Sequence, residues 1–124
     1  MLIKEIMKRP LVVEKDISLT EAANIMGAKG IGSLLFVSKD KIRGIVTERD
    51  LIKNFSKHEK ISQIMTMKVV TAEPDESLDR AAEIMRSSKI KRLPVVSGGK
   101  LVGIITLTDI LANFEALEEE FFFG

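Results

Sequence analysis

At 124 residues and 13.8 kDa, the chain has room for one ordinary domain or two very small ones, and 45% hydrophobic with 30% charged residues is a globular balance. Nineteen Lys and Arg against eighteen Asp and Glu leave a net charge of +1, which argues against bulk electrostatic binding of DNA or RNA. No cysteine and a single histidine, His58, exclude disulfide scaffolds, thiol enzymes, zinc enzymes and histidine-based triads.

In chain order, a short apolar strand is expected at Leu11-Val12-Val13. Leu19, Ala22, Ala23 and Met26 then fall at i, i+3, i+4 and i+7, one face of a helix, and Ser18 with Glu21 reads as the capping box that opens it. Two apolar strands follow, Leu34–Val37 and Ile42–Val46, joined by the turn Ser38-Lys39-Asp40-Lys41, and a second helix runs from Glu48 to Phe55. Ser56–Lys60 is a polar linker that places His58 in solvent. The same order then recurs. A strand at Val69-Val70-Thr71 precedes a helix carrying Leu78, Ala81, Ala82 and Met85, and Leu93-Pro94-Val95-Val96 and Leu101–Ile105 flank the hairpin signal Gly98-Gly99. Pro94 indicates an edge or strand-start position. A last helix is expected from Leu107 to about Glu118, and Glu118–Glu120 and Phe121–Phe123 form a tail that differs from everything before it. Three terminal phenylalanines suit docking on the same chain, a dimer seal or a partner protein, with self-association the leading reading.

The recurrence is an internal duplication. A shift of 59 lays Leu19–Phe55 on Leu78–Phe114 with 16 identities in 37 positions, and Ile6-Met7 matches Ile64-Met65 at a shift of 58. The expected fold is therefore α/β in the α+β sense: two tandem β-α-β-β-α repeats, residues 1–58 and 59–118, followed by the tail 119–124. Units this small expose too much surface alone, so the repeats are expected to pack about a pseudo-two-fold axis with two quasi-equivalent sites in the crevice. Met7, Met26, Met65 and Met85 recur at equivalent positions and read as packing.

Chemistry concentrates in Gly44-Ile45-Val46-Thr47-Glu48-Arg49-Asp50 and its copy Gly103-Ile104-Ile105-Thr106-Leu107-Thr108-Asp109. In each, a strand ends in Thr and a helix opens with Asp three residues later. On the tetrapeptide alone two readings stand. Thr-x-x-Asp is a helix capping box, with the aspartate at the favourable end of the helix dipole. The same junction also offers free amides to a polar ligand, and a carboxylate can accept both hydroxyls of a ribose diol.

These ordered marks, present twice over roughly residues 3 to 115, resemble the paired cystathionine-β-synthase (CBS) domains, or Bateman module. The resemblance rests on the β-α-β-β-α order, the apolar pair opening each unit, the Ser-Leu-x-x-Ala-Ala helix start and the Gly-hydrophobic-hydrophobic-Thr-x-x-Asp motif. It implies a sensor of adenosine-containing molecules such as AMP, ADP, ATP or S-adenosylmethionine, with no other cofactor, in which Asp holds the ribose and Thr touches ribose or phosphate. Carried onto this chain, one site combines Thr47 and Asp50 with Val69, Val70 and Thr71 around the base, and Lys91 and Arg92 toward phosphate. Arg49 also faces phosphate in that reading. The second site combines Thr106 and Asp109 with Val12 and Val13. Gly32 and Ser33 stand where Lys91 and Arg92 stand in the other repeat, so the Asp50 site is expected to prefer phosphorylated ligands and the Asp109 site to be weaker, empty or suited to a less anionic adenosyl compound.

The expected function is a free-standing, non-catalytic regulatory module that relays occupancy to an unidentified protein. The alternatives are a ligand-free oligomerisation scaffold, in which Thr-x-x-Asp serves only as caps, and a nucleic-acid-binding member of the family. A homodimer is expected, since family members form flat four-repeat discs. The apolar stretches are far short of the roughly 20 residues that span a bilayer, and Met1–Glu5 lacks a signal peptide's layout. The expectation is a cytoplasmic protein with no membrane partner.

Overall fold

The computed structural model describes residues 1–113. Its elements are α1 (Ile3–Ile6), β1 (Val12–Val13), α2 (Leu19–Lys29), β2 (Ser33–Ser38), β3 (Lys41–Thr47), α3 (Glu48–Asn54), a 3-10 turn (Ile61–Gln63), α4 (Leu78–Ser88), β4 (Arg92–Ser97) and β5 (Lys100–Thr106). Residues 107–113 are helical and are called α5. The phenylalanine tail and the continuation of α5 toward Glu118 lie outside the described residues.

Local chemistry sets these boundaries. Ser18 and Ser77 cap α2 and α4, each hydroxyl accepting the N–H three residues on, from Glu21 (3.0 Å) and Arg80 (3.1 Å). Glu21 completes only half of the expected box, because its carboxylate accepts from the Ser18 hydroxyl. Both hairpins turn through two successive left-handed residues, Lys39-Asp40 in the first and Gly98-Gly99 in the second, the backbone that a two-residue loop needs to match strand twist. No helix among the described residues is long and apolar enough to cross a membrane.

Two compact units result, and they do not follow the repeat boundary. Pro10–Val69 with Gly99–Leu101 forms one, while Met1–Arg9 joins Val70–Gly98 and residues 102–113 in the other. The lead segment of the first repeat thus completes the second repeat's core. Ile3 is fully buried among Leu78, Ala81, Met85, Leu93, Val95 and Ile105, and its N–H donates to the Glu76 carbonyl at 2.9 Å. The repeat-equivalent residue, Ile61, is fully buried among Leu19, Ala22, Met26, Leu34, Val46 and Leu51, and donates to the Ile17 carbonyl at 3.0 Å.

The first hairpin carries a three-stranded sheet, with β1 parallel to β2 and β2 antiparallel to β3. The second carries only β4 and β5. The strand expected at Val69-Val70-Thr71 is not formed, and pairing there shrinks to a single parallel bridge between Ala72 and Val95. A missing donor explains it. In the first unit the Leu35 N–H donates to the Leu11 carbonyl at 2.9 Å and anchors β1. A shift of 59 puts Pro94 at that position, and proline has no N–H. The Pro94 carbonyl still accepts from Ala72 at 3.0 Å, so the bridge survives one residue later than expected. Pro94 therefore shapes the sheet edge, although it is itself fully buried.

The motif glycines have a steric cause. A Cβ built on Gly44 would lie 2.5 Å from Met65 Sδ, and one on Gly103 would lie 2.6 Å from Met7 Sδ. Met65 and Met7 thus each lie directly on the glycine of one hairpin. Gly44→Ala and Gly103→Ala should each cost about 1–3 kcal/mol by overpacking. Gly27→Ala, inside α2 with nothing within 4 Å of its Cβ position, should raise stability by up to about 1 kcal/mol. Urea-unfolding midpoints of the three variants test this, and equal effects at Gly27 and Gly44 would contradict it.

Candidate functional site

At the end of β3 the chain turns directly into α3. Thr47, the N-cap, accepts the Asp50 N–H on its hydroxyl oxygen at 3.3 Å. Asp50 reaches back, its Oδ2 accepting from the Thr47 N–H (2.9 Å) and the Thr47 hydroxyl (3.0 Å). The capping box is therefore real. It uses one carboxylate oxygen. The Asp50 Oδ1 has no hydrogen-bond or ion-pair partner among the described residues, and Asp50 is half-buried rather than enclosed. Two further bonds fix the junction: Asn54 Nδ2 donates to the Asp50 carbonyl at 2.7 Å, and the Glu48 N–H donates to the Gly32 carbonyl at 3.1 Å.

The copy at the end of β5 repeats this frame. Asp109 Oδ2 accepts the Thr106 N–H at 3.2 Å, Thr106 Oγ1 accepts the Asp109 N–H at 3.2 Å, and Asn113 donates to the Asp109 carbonyl at 2.8 Å. One contact has no counterpart at Asp50: Lys8 Nζ lies 2.7 Å from Asp109 Oδ1. Asp109 is 8% exposed. Burial works to raise its pKa, but the Lys8 ammonium and the Thr106 donors outweigh burial and hold the carboxyl below its ordinary value.

Backbone pairing puts Lys8 there. Lys8 and Ile104 exchange two hydrogen bonds of 2.9 Å along the free edge of β5. On β3 the matching exchange, at 3.0 Å both ways, is between Ile45 and Thr66. Thr66 is thus the repeat-equivalent of Lys8, at the same shift of 58 that relates Ile6-Met7 to Ile64-Met65. The expected site residues did not include Lys8. The Ile-Met match was the signal for it, since one further step pairs a lysine with a threonine.

The remaining expected residues fall as follows. Arg49 is exposed on the first turn of α3. Val12, 38% exposed, and Val13, half-buried, form β1 opposite Leu35 and Phe36. Val69 is half-buried, and Val70 and Thr71 are exposed, outside any strand. Lys91 is exposed, and its carbonyl accepts the Leu107 N–H at 2.8 Å, which ties its backbone to the first turn of α5. Arg92, half-buried, opens β4. Thr47, Arg49, Asp50, Val12, Val13 and Val69 belong to one compact unit, and Val70, Thr71, Lys91, Arg92, Thr106 and Asp109 to the other. The first of these units also holds an open apolar cavity of about 420 Å³ against α2 and α3, lined by Met26, Ile31, Leu51, Ile52 and Phe55 among others. Asp50 is not part of its lining.

Comparison with known proteins gives a consistent picture. The family model described as CBS domain matches residues 3–57 and again 61–116. The crystal structure of the CBS domain pair of protein MJ0100, in complex with 5′-methylthioadenosine and S-adenosyl-L-methionine, superposes with a TM-score of 0.88 at 36% identity, covering 94% of this chain and 98% of that one. An uncharacterised 33.4 kDa protein of Thermofilum pendens is 41% identical over 98 residues, 76% of this chain and 33% of its own length. A homoserine O-acetyltransferase of Methanohalobium evestigatum is 42% identical over 101 residues, 79% of this chain and 21% of its own length. The chain thus spans a fifth to a third of the length of these two curated relatives.

The lowered Asp109 pKa fixes a pH dependence. Its ionised form stabilises the fold at pH above the ordinary value of 3.8, and that contribution is lost as pH falls from there through the lowered folded value. The melting-temperature gap between wild type and Asp109→Asn should therefore shrink as pH drops from about 6 to about 3. A gap that is constant across this range would contradict the assignment.

Proposed function

This chain belongs to the CBS domain family, and we propose that it is a non-catalytic regulatory module whose ligand is an adenosine ribonucleoside seated at the Asp50 junction. One observation carries the reading: Asp50 closes its helix with Oδ2 alone and keeps Oδ1 for an incoming hydroxyl. An ionised carboxylate accepts and does not donate, which suits a cis-diol and suits a deoxyribose poorly. The likeness to the MJ0100 domain pair, which binds 5′-methylthioadenosine and S-adenosyl-L-methionine, supports adenosyl chemistry. Arg49, exposed beside Asp50, extends the ligand class to AMP, ADP and ATP. Occupancy is read by a partner protein through the population shift that any ligand selective for one conformation produces. In longer relatives such as the O-acetyltransferase, we read the shared segment as the regulatory part.

A scaffold without ligand is the second reading, favoured by the fact that both Thr-x-x-Asp motifs do close capping boxes. Calorimetric titration with 5′-methylthioadenosine, S-adenosylmethionine, AMP and ATP separates the two. A charge-assisted hydrogen bond is worth roughly 1.5–3 kcal/mol, so Asp50→Ala should weaken binding on the order of 10–100-fold. If the variant only loses about 1 kcal/mol of stability, as expected for a lost cap, and the wild type binds none of the four, the scaffold reading stands instead.

The homodimer belongs to the same proposal. Ile52 is 79% exposed and Phe55 49% exposed at the rim of the apolar cavity on α2 and α3, and we place a second copy there. Light scattering should give about twice 13.8 kDa for the wild type and 13.8 kDa for Ile52→Glu. A 13.8 kDa wild type would rule the dimer out.

A further inference from the structure

The two Thr-x-x-Asp junctions share the reciprocal capping bonds, the Thr47 hydroxyl adds a bond to Asp50 Oδ2 at 3.0 Å, and among the described residues only Asp109 meets a cation. Asp109 has both carboxylate oxygens engaged, Oδ2 by Thr106 and Oδ1 by Lys8 at 2.7 Å. Asp50 has one oxygen engaged, and the residue that stands where Lys8 would stand is Thr66. Lys8 is not there by accident of a long side chain. Its backbone is pinned to Ile104 by two hydrogen bonds, two residues upstream of Thr106, so its ammonium starts from a fixed root beside the carboxylate. The pair is also sheltered on one side, with Asp109 only 8% exposed, and a sheltered ion pair is harder for an uncharged group to displace than one in bulk water.

We propose that Lys8 is a specificity-determining residue: it occupies the Asp109 carboxylate and closes that junction to uncharged ribosides, leaving Asp50 as the chain's ribose acceptor. An uncharged diol offers hydrogen bonds assisted by the carboxylate charge alone, in place of a short bond between two opposite charges, and it cannot compensate the separated ammonium. The inequality between the two repeats then comes from a single backbone-anchored lysine, whatever the cations around each phosphate position. The inference rests on the ribose role given to Asp50 above, and it predicts a swap. Lys8→Thr turns the Asp109 junction into a copy of the Asp50 junction. Thr66→Lys turns the Asp50 junction into a copy of the Asp109 junction. Neither substitution removes the backbone bonds that hold these segments, and the Lys8 and Thr66 side chains are exposed, so both variants keep the core.

Isothermal titration of the full chain with 5′-methylthioadenosine, an uncharged riboside, is the test. The wild type should bind one equivalent per chain and Lys8→Thr two, with the second lost again in Lys8→Thr/Asp109→Asn. Thr66→Lys should weaken the original site on the order of tenfold or more, the loss of a charge-assisted contact. Two equivalents in the wild type, or one equivalent unchanged in Lys8→Thr, would overturn the role of Lys8 while leaving that of Asp50 intact. Binding by Lys8→Thr alone, with none by the wild type, would uphold Lys8 as the block and overturn Asp50 as an acceptor. No binding by either overturns both. A parallel titration with AMP checks the opposite role: if Lys8→Thr loses an AMP equivalent that the wild type has, Lys8 serves the phosphate and does not close the junction.

Discussion

A carboxylate has two oxygens, and at each strand-to-helix junction of this chain one of them is committed to closing the helix. The aspartate three residues past the last strand residue accepts the N-cap amide, while the N-cap hydroxyl accepts the aspartate's own amide. That reciprocal bond fixes where the carboxylate stands and how it is turned. What the junction can offer to a ligand depends on the fate of the other oxygen. At Asp50 it is unclaimed among the described residues, and at Asp109 it is held by Lys8. Capping at Asp50 therefore leaves one carboxylate oxygen available and does not by itself exclude a ligand there.

The glycine and methionine of each repeat make that arrangement possible. Met65 lies on Gly44 and Met7 on Gly103, closer than any side chain at the glycine would allow. This contact draws the segment after each methionine onto the edge of the strand that leads to the junction, where Thr66 pairs with Ile45 and Lys8 with Ile104. The methionine side chain, unbranched and adaptable, suits a contact with bare backbone. A consequence is that residues 1–9 complete the unit built on the second hairpin, and the identity of residue 8 is set in the first repeat but acts on the second repeat's aspartate.

The duplication, the order of elements, both hairpin turns and the two Thr-x-x-Asp caps were legible in the sequence, because each rests on local chemistry: helical spacing, glycine pairs, a hydroxyl three residues before an acid. Three features were not. The strand at Val69-Val70-Thr71 failed because its partner position is Pro94, and a missing N–H matters only once the strands are aligned. The exchange of the lead segment is a tertiary choice with no local signature, since Ile3 and Ile61 are equally apolar whichever core they enter. Lys8 looked like any surface lysine, because its significance comes from a bridge to Ile104 some hundred residues away in the chain. Composition excluded chemistry that the chain lacks, but it could not tell a free carboxylate from an occupied one.

The proposed acceptor of a ribose hydroxyl is Asp50 Oδ1, and a crystal structure of the chain grown with 5′-methylthioadenosine tests it most directly. The prediction is a ribose hydroxyl within hydrogen-bond distance of that oxygen, about 2.5–3.0 Å, with the Thr47–Asp50 cap unbroken. A nucleoside bound elsewhere, or an Asp50 carboxylate with both oxygens turned onto its own helix, would contradict it.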